Sequence, residues 1–327
     1  MPAQDVVRLL PPDPDLFFGH RDPLDVRLGS VTGQARHEEP LSLATLREDP
    51  RYRRAQVVIL GCPQDEGVRR NEGRAGAREG PRKLREALYR LAPGPLQGSN
   101  LHLFDAGDTD TGGTLEEIHE RQAAAVEAFL QDGKLLIILG GGNDISYPDA
   151  RAASRSLPQL LAFNIDAHLD VRQEEPRNSG TPYRQLLDGG HLEPERFFEV
   201  GYQHFSAAAA HLDYLEEVGV RAISLEEWLA GGVRRTLEEL LRTPAGALFW
   251  GLDLDVVSSA YAPGVSAPNP VGLSGRELLT VARVAGGDER TRILEISELN
   301  PAFDIDSRTA RLAAAAIHPF LVARFGQ

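Results

Sequence analysis

The stretch QLLAFNIDAHLD, residues 159–170, runs a mostly apolar segment straight into three side chains of the kind that bind metals. The apolar part is too short for a free-standing helix and lacks a polar face, which marks a strand buried on both sides. Runs of the same kind recur along the chain as AQVVILG (55–61), NLHLFDAG (100–107), KLLIILGG (134–141), RFFEVGY (196–202), GVRAISL (219–225), ALFWGLDLD (247–255) and TRILEISELN (291–300). Between most of them lie amphipathic stretches of helical period, such as GPRKLREALYRL (80–91), TLEEIHERQAAAVEAFLQDG (114–133), HLDYLEEVG (211–219) and SGRELLTVARVAG (274–286). Alternating strands and helices predict a three-layer α/β/α fold with a mostly parallel central sheet. No repeat or linker interrupts the pattern, so residues 54–327 read as a single domain. Residues 1–53, rich in Pro, Asp and Arg and without sustained periodicity, read as an irregular arm wrapped on it.

Composition narrows the partners. The 327 residues carry 48 acidic and 35 basic side chains, a formal charge of −13, which argues against nucleic acid or an anionic membrane, since both require a basic footprint. No apolar run reaches the length of a membrane span, and MPAQDVVRLLPPDPD has no basic region followed by a long apolar core. The expected location is the cytoplasm. The one cysteine, Cys62, excludes an internal disulfide framework and an all-cysteine metal site, so any metal must sit on oxygen and nitrogen.

In such sheets the chemistry gathers beyond the carboxyl ends of the strands. There the chain reads GGGNDISYP after KLLIIL, DAHLD after QLLAFNI, DLDVVSSAYAPG after ALFWGL and ELNP after TRILEIS. Asp166, His168 and Asp170 alternate, and extended geometry would send all three to one face. Asp253 and Asp255 repeat the device on another strand end. A lone D-x-D is often only a turn or a helix cap, but two such motifs on separate strands point to one site. Four converging carboxylates would repel one another unless cations neutralised them. A pair of divalent ions about 3.5–4 Å apart can hold a hydroxide between them at neutral pH. Hard oxygen donors with a single imidazole favour manganese over zinc.

DAHLD (166–170), DLD (253–255) with APG (262–264), and ELNP (298–301) resemble, in order, the signatures of the arginase, agmatinase and formiminoglutamase superfamily of ureohydrolases. DEGVRRNEGRAGAREGP (65–81), NSGTPYRQL (178–186) and the arm PDLFFGHRDPLD (14–25) are similar to the formiminoglutamase branch. The resemblance implies an arginase-like fold and two Mn2+ per subunit, bridged by Asp166 and Asp253. Asp170 and Asn143 would complete one ion, and His168 and Asp255 the other. Asn143 departs from the family pattern, which has histidine after these glycines; its amide oxygen should hold a cation more weakly, and Asp144 is a possible substitute.

The implied reaction is hydrolysis of N-formimino-L-glutamate to L-glutamate and formamide through a metal-bridging hydroxide, a step of histidine degradation. Asp170 would orient that hydroxide and pass its proton to the departing amine. Glu298 would pair with the cationic amidine. The substrate's two carboxylates call for arginines, with Arg172 foremost, then Arg69, Arg70, Arg74, Arg177 and Arg184, and with Asn71, Thr181 and Gln203 as polar helpers. His204 and Ser206 should face the site, and His204 is a candidate proton relay. Cys62 reads as a buried, unreactive thiol. The glycines of NEGRAGAREG fit no phosphate-binding fingerprint and read as a close-packed loop. The resemblance further implies a homo-oligomer, a trimer or a hexamer. Three alternatives stay open: an agmatinase or another guanidino-acid hydrolase, a deacetylase-like enzyme with one zinc, and a catalytically impaired member with a binding or regulatory role, which Asn143 motivates.

Overall fold

The computed structural model describes residues 7–17, 22, 24–35 and 42–326. Phe18 to Arg21 and Pro23 of the arm motif, and residues 1–6 of the amino terminus, lie outside the described residues.

The strands are β1 (Leu9–Leu10), β2 (Gly33–Gln34), β3 (Val57–Gly61), β4 (Leu103–Thr109), β5 (Leu135–Leu139), β6 (Leu160–Ile165), β7 (Phe197–Tyr202), β8 (Arg221–Ser224), β9 (Ala247–Asp253) and β10 (Thr291–Ser297). Among the described residues they form one ten-stranded sheet in the order β1-β4-β3-β5-β10-β9-β6-β7-β8, with β2 also on β4. Every pairing is parallel except β1 against β4. The α/β class expected from the sequence is therefore the fold observed. The arm is less irregular than its composition suggests. Leu9 and Leu10 pair with Thr109 and Asp108, and Gly33 and Gln34 pair with Phe104 and Asp105, so both segments close the same edge of the sheet.

Side chains alternate between two apolar layers, as pleated strands covered on both faces require. Val57, Ile59, Ile137, Leu139 and Phe163 enter one core, while Val58, Leu60, Leu136, Ile138 and Ala162 enter the other. The helices that cover these layers begin where the sequence places caps. Thr114 and Glu117 form a reciprocal capping box at the start of Leu115–Gln131, and Ser274 and Glu277 do the same for Gly275–Gly287. Gly286 lets that second helix approach the backbone of Phe320 in the helix Arg308–Phe325; a Cβ there would lie 2.1 Å from Phe320 O. No helix among the described residues is long and apolar enough to cross a membrane.

The sheet order decides where the chemistry falls. β5, β10, β9 and β6 are consecutive neighbours, so four loops that are far apart in sequence leave the sheet side by side.

Candidate metal centre

β6 ends at Ile165, and Asp166 follows it with its amide still bonded to Val200 O at 3.1 Å. The next residues turn instead of continuing as strand, with Asp166 Oδ1 accepting from the His168 amide at 2.7 Å. Asp170 then adopts a left-handed φ of +49°. The expected convergence of Asp166, His168 and Asp170 thus occurs, but through a folded loop and not through the alternation of an extended strand. Asp253 closes β9 and caps the short turn Leu254–Val256 by accepting from the Asp255 amide at 2.8 Å. Glu298 follows β10 at φ +66°, and its Oε1 accepts from the Asn143 amide at 2.7 Å.

Two groups result. Asp166, His168 and Asp255 bring ligand atoms within 4.8 Å of one another, and so do Asp166, Asp170 and Asp253. His168 Nδ1 lies 3.0 Å from Asp255 Oδ2, and that carboxylate strongly favours the protonated imidazole in the absence of a cation. Burial first, and then the neighbouring Asp255, pushes Asp166 up to about 6. Burial and adjacent acids hold Asp170 and Asp253 well above the usual carboxylate range. Burial likewise pushes Glu298 up to about 8, and its Oε2 has no hydrogen-bond partner among the described residues. Acids so crowded and so dry are satisfied by divalent cations, which reverse the local preference for protons. The donor set of hard oxygens with one imidazole fits such ions.

Asn143, expected as a ligand, lies buried between the acids and β10. Its Nδ2, and not its oxygen, faces the acids, donating to Asp170 Oδ2 at 2.7 Å, while Oδ1 accepts from Ser297 Oγ at 2.8 Å. The amide nitrogen donates and the carboxylate oxygen accepts, while the Ser297 hydroxyl supplies the donor that the amide oxygen needs. Asp144 does not substitute for it. Its carboxylate turns away and accepts from Gln64 Nε2 and meets His119 Nε2, both at 2.7 Å.

Asp170, Asp253, Asp255 and Glu298, with His168, form the floor of a cavity of about 390 Å³, and Asp166 is buried outside its lining. Arg172 and Asn71 line it, as expected for substrate contacts, together with Arg74 and Ser206. Arg172 is about half exposed, with Glu174 at 3.5 Å. Four other candidates stand outside the lining, each already engaged. Arg69 pairs with Asp65, and Arg70 donates to Glu116 at 2.7 Å and to Arg177 O. Thr181 Oγ1 is spent on Asn178 O, and Gln203 Nε2 on Val271 O. Arg177 lies over Tyr147, and Arg184 pairs with Asp188, so neither reaches the cavity. His204 is exposed beside Tyr202 and is replaced in the lining by His211. Ser179 also lines it unforeseen, donated to by Asn71 Nδ2 at 3.0 Å; its place in NSGTP, next to the nominated Thr181, was the available signal. Cys62 is buried, and burial pushes its thiol up, away from reactivity.

A carboxylate-floored cavity at the carboxyl edge of a doubly covered parallel sheet defines the class: α/β proteins with a site suited to divalent cations. The chain belongs to the Arginase family, whose sequence pattern matches residues 55–322. It is 32% identical over 321 residues to the formimidoylglutamase of Staphylococcus carnosus, spanning 94% of this chain and 98% of that one. It is 38% identical over 280 residues to the formimidoylglutamase of Aromatoleum aromaticum, spanning 80% and 81%. The crystal structure of Trypanosoma cruzi formiminoglutamase with Mn2+ superposes with a TM-score of 0.79 at 36% identity, covering 86% of this chain and 97% of that one.

Proposed function

We propose that this protein is a manganese-dependent formimidoylglutamase, hydrolysing the linear amidine of N-formimino-L-glutamate to L-glutamate and formamide. The observation that carries the reading is the convergence of Asp166, His168, Asp170, Asp253 and Asp255, the last four lining a cavity whose wall presents Arg172. Relatives of that name, matching 94% and 80% of the chain, support it. Asp166, His168, Asp170, Asp253 and Asp255, with Asn143, would hold two Mn2+. Such a pair supplies Lewis acidity and lowers the pKa of water held between the ions.

The remaining work falls to side chains. Asp170 takes the proton of the attacking water and delivers it to the departing glutamate nitrogen, which requires hydrogen-bond reach and a fixed orientation. Glu298 pairs with the amidinium, whose charge favours the ionised carboxylate. Arg172 meets a substrate carboxylate with its planar fork. The purified protein supplied with Mn2+ should release glutamate and formamide from formiminoglutamate and no urea from arginine or agmatine; urea without glutamate would move it to another branch of the family.

The wider reading is of residues 54–327 as one hydrolase unit with residues 1–53 as its arm, supported by the family match beginning at residue 55. We infer a cytoplasmic homo-oligomer that engages neither nucleic acid nor membranes, in keeping with the net charge of −13.

A further inference from the structure

Two arginines line the cavity, Arg74 and Arg172, and they are held in different ways. Arg172 lies half exposed with Glu174 at 3.5 Å, and its amide donates to Gly180 O in the loop after β6. Arg74 pairs with no carboxylate among the described residues. Its Nε donates to Ser266 O at 3.2 Å, its Nη2 donates to Val265 O, and its guanidinium carbon stands 4.1 Å from the centre of the Phe303 ring. Burial pulls its pKa down, and no acid offsets that. The segments that grip it are themselves fixed, since Val265 bridges to Leu299 beyond β10 and Asn300 Nδ2 donates to Arg74 O at 2.7 Å. The guanidinium is therefore a planar fork set before any ligand arrives, with Nη1 unengaged among the described residues. A partly buried cation without an acid is costly, and the chain has 48 acidic residues from which a partner could have come. An arriving anion balances it.

We propose that Arg74 is a second carboxylate receptor, separate from Arg172, so that the two carboxylates of the substrate are met from different loops and the site selects dicarboxylates. The inference rests on the formimidoylglutamase reading for the presence of two carboxylates and deepens it. Arg74 keeps its bonds to Val265 and Ser266 and offers Nη1 to a carboxylate oxygen. A ligand with one carboxylate fills one receptor and leaves the other cation unpaired, which is how a polar site rejects an analogue lacking the group it was built to bind.

The test is calorimetric titration of the Mn2+-loaded protein with L-glutamate, with 2-aminobutanoate, which lacks the side-chain carboxylate, and with 4-aminobutanoate, which lacks the α-carboxylate. The proteins are the wild type, Arg74→Gln, Arg74→Lys and Arg172→Gln. Arg74→Gln should weaken glutamate binding about ten- to a hundredfold, as the loss of a charge-assisted contact does. It should also weaken one of the truncated ligands and not the other, and Arg172→Gln should show the opposite preference. Arg74→Lys keeps the charge without the planar fork and should fall between Arg74→Gln and the wild type; if Arg74→Gln does not fold, Arg74→Lys carries the same test. Were Arg74 only a staple between loops, cutting it would lower the affinity for all three ligands alike. That outcome, unchanged glutamate binding, the same preference in the Arg74 and Arg172 variants, or no glutamate binding by the wild type would overturn the proposal. Wild-type protein that binds glutamate through Arg74 but leaves formiminoglutamate intact would overturn the activity assigned above and not the receptor.

Discussion

Asp170 and Glu298 hold left-handed backbone, at φ +49° and +66°, a conformation that costs a non-glycine residue about 1–3 kcal/mol. Both line the cavity, so the strain falls where two carboxylates must be aimed away from the direction of their strands. Asp166, Asp253 and Asp255 were legible because each immediately ends, or lies two residues beyond, an apolar strand. The contacts of Asn143 were not, because Ser297, which donates to its Oδ1, lies 154 residues away. Arg70 misled for the same reason: its partner Glu116 lies 46 residues further along the chain. Two predictions belong at this scale. Arg172→Gln keeps a polar side chain but loses the cation, so KM for formiminoglutamate should rise about tenfold or more with kcat less affected, the cost of one charge-assisted contact. A fall in kcat at constant KM would place Arg172 in the chemistry and not in binding. Asn143→His exchanges a donor for an imidazole beside the acids, so Mn2+ should bind more tightly in a direct titration. Unchanged affinity would show that this position does not govern the ion.

At the scale of elements, eight strands could be read because each is an apolar run of its own. β1 and β2 could not, since two residues carry no period and only the edge of β4 makes them strands. The glycines after β5 show a different limit. Gly141 packs so closely on the loop after β3 that a Cβ would lie 1.7 Å from Gln64 O, a contact no sequence pattern reveals. The same carbonyl accepts from the Gly142 amide at 3.0 Å, and Glu298 N donates to Gly141 O at 2.8 Å, so the loop also fixes the chain just beyond β10. Gly141→Ala should therefore destabilise the fold by about 1–3 kcal/mol through overpacking and depress activity disproportionately by shifting Glu298. Denaturant unfolding together with kcat measures both; a variant as stable and active as the wild type would show that the loop yields without consequence.

Across the whole molecule the buried acids couple stability to pH and to metal. Asp166 at about 6 and Glu298 at about 8 titrate above the value near 4 that they have in an unfolded chain. A carboxylate whose folded pKa is raised contributes stability that is complete below its unfolded pKa and is lost as pH rises through the folded one. Metal-free protein should accordingly lose stability between about pH 5 and pH 8.5, against the usual expectation for an acidic protein whose carboxylates are paired. Mn2+ binds the ionised acids, so its affinity rises over the same interval, and a ligand that binds only the folded state stabilises it in proportion to that affinity. The two slopes oppose each other. The gap in Tm between Mn2+-loaded and chelator-stripped protein should therefore be small at pH 5.5 and widen steadily toward pH 8.5. A gap that stayed constant with pH would mean that the acids on the cavity floor do not exchange protons for metal.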